Sequence, residues 1–326
     1  MTPKPLCEFL VASCVPDGGA YRYQLSRDLS LTVTQFLPMP CPMYLSVHGN
    51  AVWAVLREPF PNSTESGLGC YALDDGSLRS PICTTKGEIA CHLAVIDHDI
   101  YCANYQSGSL IHIPGKLQCH FGSSLHPVRQ TASHVHGIFP SPDGQFLLVC
   151  DLGLDCVFVY TRDLTPVSQA SVPAGFGPRH LCFSKDGQHV YCLCELSSSI
   201  CVFSFREGIL NYLYQLPLLP ADFPAEGSAA AICLSDNGTR LYITERTAGQ
   251  IITLAIEGTV LSILDRTPCG GKEPRDFALL ASDRYGVCTN QHSDLISLFR
   301  IDDNGIPSFL YSSPVPAPLC VIPLSE

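Results

Sequence analysis

Short apolar runs separated by polar turn clusters recur along most of this chain, and the pattern repeats as a unit. Its clearest copy is residues 134–160, HVHGIFPSPDGQFLLVCDLGLDCVFVY. The Ser141-Pro-Asp-Gly144 cluster joins GIF to FLLV. Proline presets one backbone angle of a tight turn and glycine accepts a positive one. FLLV runs into Asp151-Leu-Gly, and CVFVY follows as a third run of strand formers. The stretch therefore predicts strand, hairpin, strand, turn, strand.

Three further copies begin at Pro178, Ala229 and Pro274. Aligning their turns puts His136, Arg179, Ala230 and Arg275 at one equivalent position before the first strand, with steps of 43, 51 and 45 residues. A second position, after the second strand, is assigned to Asp151, Glu195, Arg246 and Gln291, with steps of 44, 51 and 45. A period of this size with about four strands per unit is the signature of a β-propeller.

Upstream, residues 6–36 read as three strands without a fourth (CEFLVASCV, AYRYQL, LTVTQFL), a second unit runs from Tyr44 to about Thr84, and a third from Ile89 to about His126. Tyr105 of the third unit falls at the place given to Asp151 and Glu195. The tail at 319–324, LCVIPL, is one isolated strand. A propeller left open would expose two edges of unpaired backbone groups. Pairing the last strand with the first three completes a seventh blade, so residues 1–326 are expected to form a single all-β, seven-bladed propeller domain.

Charge narrows the partners. Nineteen Lys and Arg against thirty Asp and Glu leave a net charge of −11, with no basic tract, which argues against a nucleic-acid partner. No apolar run reaches the ~18 residues of a membrane span. The segment LCEFLVASC at 6–14 is broken by Glu8 and reads as a first strand rather than a leader. The 18 cysteines lie singly on predicted strands, where cysteine packs like a small hydrophobe; this suggests reduced core thiols and a cytoplasmic protein. The nearest Cys/His pairs (Cys192/Cys194, Cys91-His92, Cys119-His120, His134/His136) never form a matched set, so neither a metal nor any other cofactor is expected.

Propeller topology turns the two registers into geometry. The loop entering each innermost strand and the loop between strands two and three share one face, and the SPDG-type turns occupy the other. His136, Arg179, Arg275, Glu195, Arg246, Asp151 and Gln291 are therefore expected to rim one mouth of the channel. Any one of them has an ordinary structural reading: Asp151 can bond turn donors, and Arg246 with Glu195 can pair neighbouring blades. As a set, clustered in an acidic chain, they read as an anion site.

The same pieces carry a family resemblance. H-x-x-x-x-SPDG from His136, DLG at 151–153, GPRH at 177–180, Cys-Glu-Leu-Ser-Ser at 194–198, Glu-Arg-Thr-Ala at 245–248, PRDF at 274–277 and Asn-Gln at 290–291 resemble the lactonase family of seven-bladed propellers. That family includes propeller-type 6-phosphogluconolactonases and the fungal carboxymuconate-lactonizing enzyme. The resemblance covers nearly the whole chain. It departs in the first two units, which lack SPDG, and at Cys194, where the family usually has Asn. It implies catalytic roles for His136, Arg179, Glu195 and Arg246, with Arg275, Asp151, His180 and Gln291 binding substrate.

Opening a phosphosugar lactone needs an activated water, stabilisation of an oxyanion and a grip on the anion. Arginines supply the last two, being charged at any working pH, and His136 or Glu195 could accept the proton. No G-x-S-x-G elbow offers a serine nucleophile. The expectation is a 6-phosphogluconolactonase of the pentose phosphate pathway acting on a small anionic lactone. Another lactonase or a muconate cycloisomerase of the same fold is the alternative within the family, and a non-catalytic binding propeller the alternative outside it. Against the last, the single tryptophan, Trp53, is followed by Ala rather than the Asp of WD repeats. Protein partners are not indicated.

Overall fold

A computed structural model describes residues 5–113 and 115–324. Seven four-stranded antiparallel sheets are arranged in a ring. Blades 2 to 7 are contiguous in sequence (42–88, 90–119, 135–171, 178–217, 229–268 and 274–314). Blade 1 is composite. Its outer three strands come from residues 7–38, and its innermost strand, Pro318–Pro323, pairs antiparallel with Cys7–Ser13 through Phe9–Pro323, Leu10–Ile322 and Val11–Val321. Each innermost strand packs on those of the two neighbouring blades, and the succession closes on itself. The expected closure is thus present, and no sheet edge is left facing the break in the chain.

Burial follows from position within a blade. The second strands, Phe146–Asp151, His189–Cys194, Arg240–Glu245 and Tyr285–Asn290, are buried at all but their first residue. Both of their faces are covered by adjacent blades, so they read as continuous apolar runs. Outermost strands such as Ile209–Pro217 are largely exposed. One inter-blade core joins Leu148, Cys150, Val157 and Val159 of blade 4 to Leu181, Val190, Cys192 and Phe203 of blade 5. The cysteines there fill places that Val or Ala could take.

The SPDG turn is built as its residues suggest. Gly144 has φ +67°, its N–H donates to Ser141 O at 2.8 Å, and Ser141 Oγ accepts Phe146 N at 3.0 Å. Ser184 and Ser235 accept the backbone N–H of His189 and Arg240 in the same way. Among the described residues, no helix is long and apolar enough to cross a membrane.

Candidate active site

Every innermost strand carries one irregularity near its start. Register shifts fall at Pro42/Tyr44, Ala90/His92, Val135/Gly137, Pro178/His180, Ala229/Ile232 and Pro274/Asp276, and in blade 1 opposite Ala12/Ser13. A β-bulge inserts an unpaired residue and re-aims its side chain. The bulged residues are Met43, Cys91, His136, Arg179, Arg275 and Leu319, with Ala230 at the same place in blade 6. The first register of the sequence is therefore this bulge, and its members form an upper tier around the channel. The residues that follow (Tyr44, His92, Gly137, His180, Ala231, Asp276, Cys320) form a tier beneath it.

Glu195 organises the upper tier. It lies just after the second strand of blade 5 and is 2% exposed. Its Oε1 meets Arg129 Nη2 at 2.7 Å and Arg246 Nη2 at 3.0 Å; its Oε2 meets Arg179 Nε at 3.2 Å and His136 Nε2 at 3.7 Å. Three blades and one loop thus deliver side chains to one carboxylate. Arg246 also donates to Ser228 O and pairs with Glu273 at 3.3 Å. Arg179 donates to Ala230 O, and its Nη1 donates to His180 Nε2 at 3.1 Å. That bond requires His180 Nε2 to be an acceptor, which places the ring proton on Nδ1. Arg275 is half-buried, and its side chain makes no hydrogen bond or ion pair with another described residue. Its guanidinium is available to a ligand.

Electrostatics assigns the charges. Burial alone would raise the Glu195 pKa, but the guanidiniums of Arg246, Arg179 and Arg129 outweigh it and hold the carboxyl well below the usual carboxylate range. Burial, then Arg179, drives His136 well below an ordinary imidazole, and Glu195 does not reverse this. His180 is neutral for the same two reasons. Burial also lowers Arg179, aided by Arg275 and Arg246; a guanidinium starts high enough to keep its proton. Cys91 is pushed up to about 12 by burial, so it is a thiol and no nucleophile.

One expectation changes. Asp151, grouped with Glu195 as a rim residue, is completely buried. Its Oδ1 accepts His134 N at 2.8 Å and Gly153 N at 3.1 Å, and its Oδ2 meets His120 Nδ1 at 2.7 Å, with His120 Nε2 in turn 2.8 Å from Tyr160 OH. The correction is one residue of register. Strand pairing makes Asp151 equivalent to Asn104, Cys194, Glu245 and Asn290, each opposite the residue that opens its innermost strand. Asn104, Glu245 and Asn290 likewise spend their side chains on the backbone. The true equivalents of Glu195 are Arg57, Tyr105, Leu152, Arg246 and Gln291. With Leu152 in place of Asp151 the steps become 43, 51 and 45, matching the first register. Cys194, the departure from the usual Asn, falls in this structural row and not in the site.

Gln291 begins a 3₁₀ turn and is half-buried; its backbone N donates to Glu273 O, and its side chain bonds no described residue. The residue that sequence reasoning missed is Arg129. It sits on the loop between blades 3 and 4, outside any repeat, so no register pointed to it. His126 Nδ1 accepts its backbone N–H at 3.0 Å, and its guanidinium reaches both Glu195 and Tyr105 OH.

No cluster of three or more His, Cys, Asp or Glu suited to a metal occurs among the described residues. The site is an array of fixed cations around one carboxylate, suited to holding an anion and to stabilising negative charge that develops on a carbonyl oxygen.

Known proteins share this architecture. A protein from Lactobacillus plantarum of known crystal structure superposes with a TM-score of 0.89 at 29% identity, over 98% of this chain and 99% of that one. The Pseudomonas aeruginosa periplasmic gluconolactonase PpgL superposes with a TM-score of 0.88 at 28% identity, over the same shares. The Lactococcus lactis protein YwcC is 33% identical across 79% of this chain and 82% of its own length. The sequence model of the family described as Lactonase, 7-bladed beta-propeller matches residues 9–323. With that match spanning nearly all of the ring and its channel, the chain belongs to the seven-bladed β-propeller lactonase family.

Proposed function

We propose that this protein hydrolyses a small anionic lactone, with 6-phosphogluconolactone as its substrate and the cytosolic pentose phosphate pathway as its setting. The observation that carries this reading is the convergence of Arg129, Arg179, Arg246 and Arg275 on one channel mouth in a chain of net charge −11. Among the described residues, only Glu195 and Glu273 pair with these arginines, so the mouth keeps a positive excess. The Arg275 side chain has no hydrogen-bond or ion-pair partner among the described residues and is suited to the substrate's anionic group or its carbonyl oxygen.

A non-phosphorylated gluconolactone is the second reading, favoured by the resemblance to PpgL at 28% identity. Hydrolysis of freshly made 6-phosphogluconolactone, corrected for spontaneous opening, separates the two when run beside gluconolactone and carboxymuconate. The expected result is a kcat/KM at least tenfold higher for the phosphorylated lactone. Arg275→Ala should lower that kcat/KM about tenfold to a hundredfold, the loss of one charge-assisted contact. Equal turnover of both lactones would favour the second reading. No turnover of any substrate would leave a binding propeller.

A further inference from the structure

Beneath the arginines lies a small cavity that contains a carboxylate without an assigned role. Its lining includes His136 and Arg179 from the upper tier, and Tyr44, His180 and Asp276 from the lower. At about 20 Å³, it has room for about one water. Rings close the channel nearby: His92 meets Tyr44 and Phe139 at a tilt and His180 edge-on, at centroid distances of 4.4, 4.7 and 5.2 Å. Asp276 is the one carboxylate of the lower tier. It is half-buried and lines the cavity, which Glu195, 2% exposed, does not. Its two oxygens accept Val321 N and Phe277 N, both at 2.9 Å, which aims the carboxylate while leaving lone pairs free.

We propose that Asp276 is the general base of the lactone hydrolysis put forward above, acting on a water held in this cavity. The assignment rests on that hydrolytic reading. The water gives a proton to the Asp276 carboxylate while its oxygen bonds to the lactone carbonyl carbon. The carbonyl π pair moves onto oxygen, where Arg179 and Arg275 stabilise it. Collapse re-forms the carbonyl and breaks the ring C–O bond. The ring oxygen leaves with its electron pair and takes the proton back from Asp276, so lactone plus water yields the hydroxy acid.

Two other candidates suit the task less well. Glu195 is held ionised by three guanidiniums and is a weak base; His136 is a neutral ring whose protonation burial and Arg179 oppose. Asp276, raised by burial to about 6 against the pull of the Val321 and Phe277 N–H groups and Arg179, is ionised at neutral pH and more basic than either. The titratable groups around it are Arg179 and His180 from blade 5, Tyr44 from blade 2, Cys320 from blade 1, Cys233 from blade 6, and Arg275 and Cys288 from its own blade.

The test compares Asp276→Asn with wild type on whichever of the two gluconolactones the wild type opens faster. The variant should lose kcat about a hundredfold or more, keep KM within about threefold, and bind 6-phosphogluconate as wild type does. Because the base acts ionised, the wild-type kcat should fall as pH drops through about 6; the variant should lack that limb. Asp276→Glu should recover part of the rate. An active wild type with an unaffected Asp276→Asn overturns the assignment alone. So does a variant that loses product binding and thermal stability along with kcat, which would make Asp276 a strut for Val321. A wild type inert toward both lactones overturns the hydrolytic reading and this assignment with it.

Discussion

Replacing Glu195 by Gln removes the one carboxylate on which Arg129, Arg179 and Arg246 converge and leaves three guanidiniums facing each other in a buried site. The amide can still accept a hydrogen bond, so the change isolates charge from shape. Breaking a buried pair costs about 3–5 kcal/mol because the remaining charge is uncompensated. For a chain of 326 residues, an unfolding entropy of about 2.1 cal/mol/K per residue turns this into a fall in Tm of roughly 4–7 °C. The pH dependence follows from the depressed Glu195 pKa. Its stabilisation is complete above the unfolded-state pKa of about 4.3 and is lost only as pH falls from there toward the lower folded-state value. Differential scanning calorimetry should therefore show a constant wild-type-minus-variant gap from pH 8 to pH 5 that shrinks below about pH 4. Inorganic phosphate should narrow the gap by supplying the missing negative charge. A variant melting within about 1 °C of wild type, or a gap that closes by pH 6, would refute the view of Glu195 as the counter-charge that assembles the site.

Three further outcomes are expected. Asp151→Ala strands His134 N, Gly153 N and His120 without their acceptor; urea unfolding should show a loss of about 2–4 kcal/mol, while KM for the lactone stays within twofold. Arg129→Ala should raise KM for an anionic lactone about tenfold, one charge-assisted contact, and a KM equal to that of wild type would remove Arg129 from the binding site. Deleting residues 318–326 strips the innermost strand from blade 1 and exposes the backbone edge of Cys7–Ser13. The truncated chain should be insoluble or melt more than about 10 °C lower, and a native melting curve would show that the ring does not depend on its closing strand.

Much of the molecule was legible from residue order because a propeller is built from local hairpins. Each unit's turn chemistry and apolar runs are set within about 45 residues, so the four copies from His134 onward declared themselves. The closing strand followed from counting: three strands at one end and one at the other can pair only across the ring. The bulge positions of His136, Arg179 and Arg275 were visible as polar residues where a plain repeat would place small or apolar ones. Other features depended on contacts between units. Arg129 lies between repeats and reaches Glu195 across 66 residues, so periodicity had nothing to say about it. Asp151 and Leu152 differ by one position, yet strand geometry sends neighbouring side chains to opposite faces. Only the pairing of Val135 with Asp151 and of Pro178 with Cys194 shows which of the two matches Glu195. Asp276 follows a conspicuous arginine and acquires its environment from Val321, Tyr44 and His180, which come from three other blades. The charge states of Glu195, His136 and Asp276 depend on burial and on neighbours far away in sequence. These are properties of the closed ring, and an isolated repeat does not possess them.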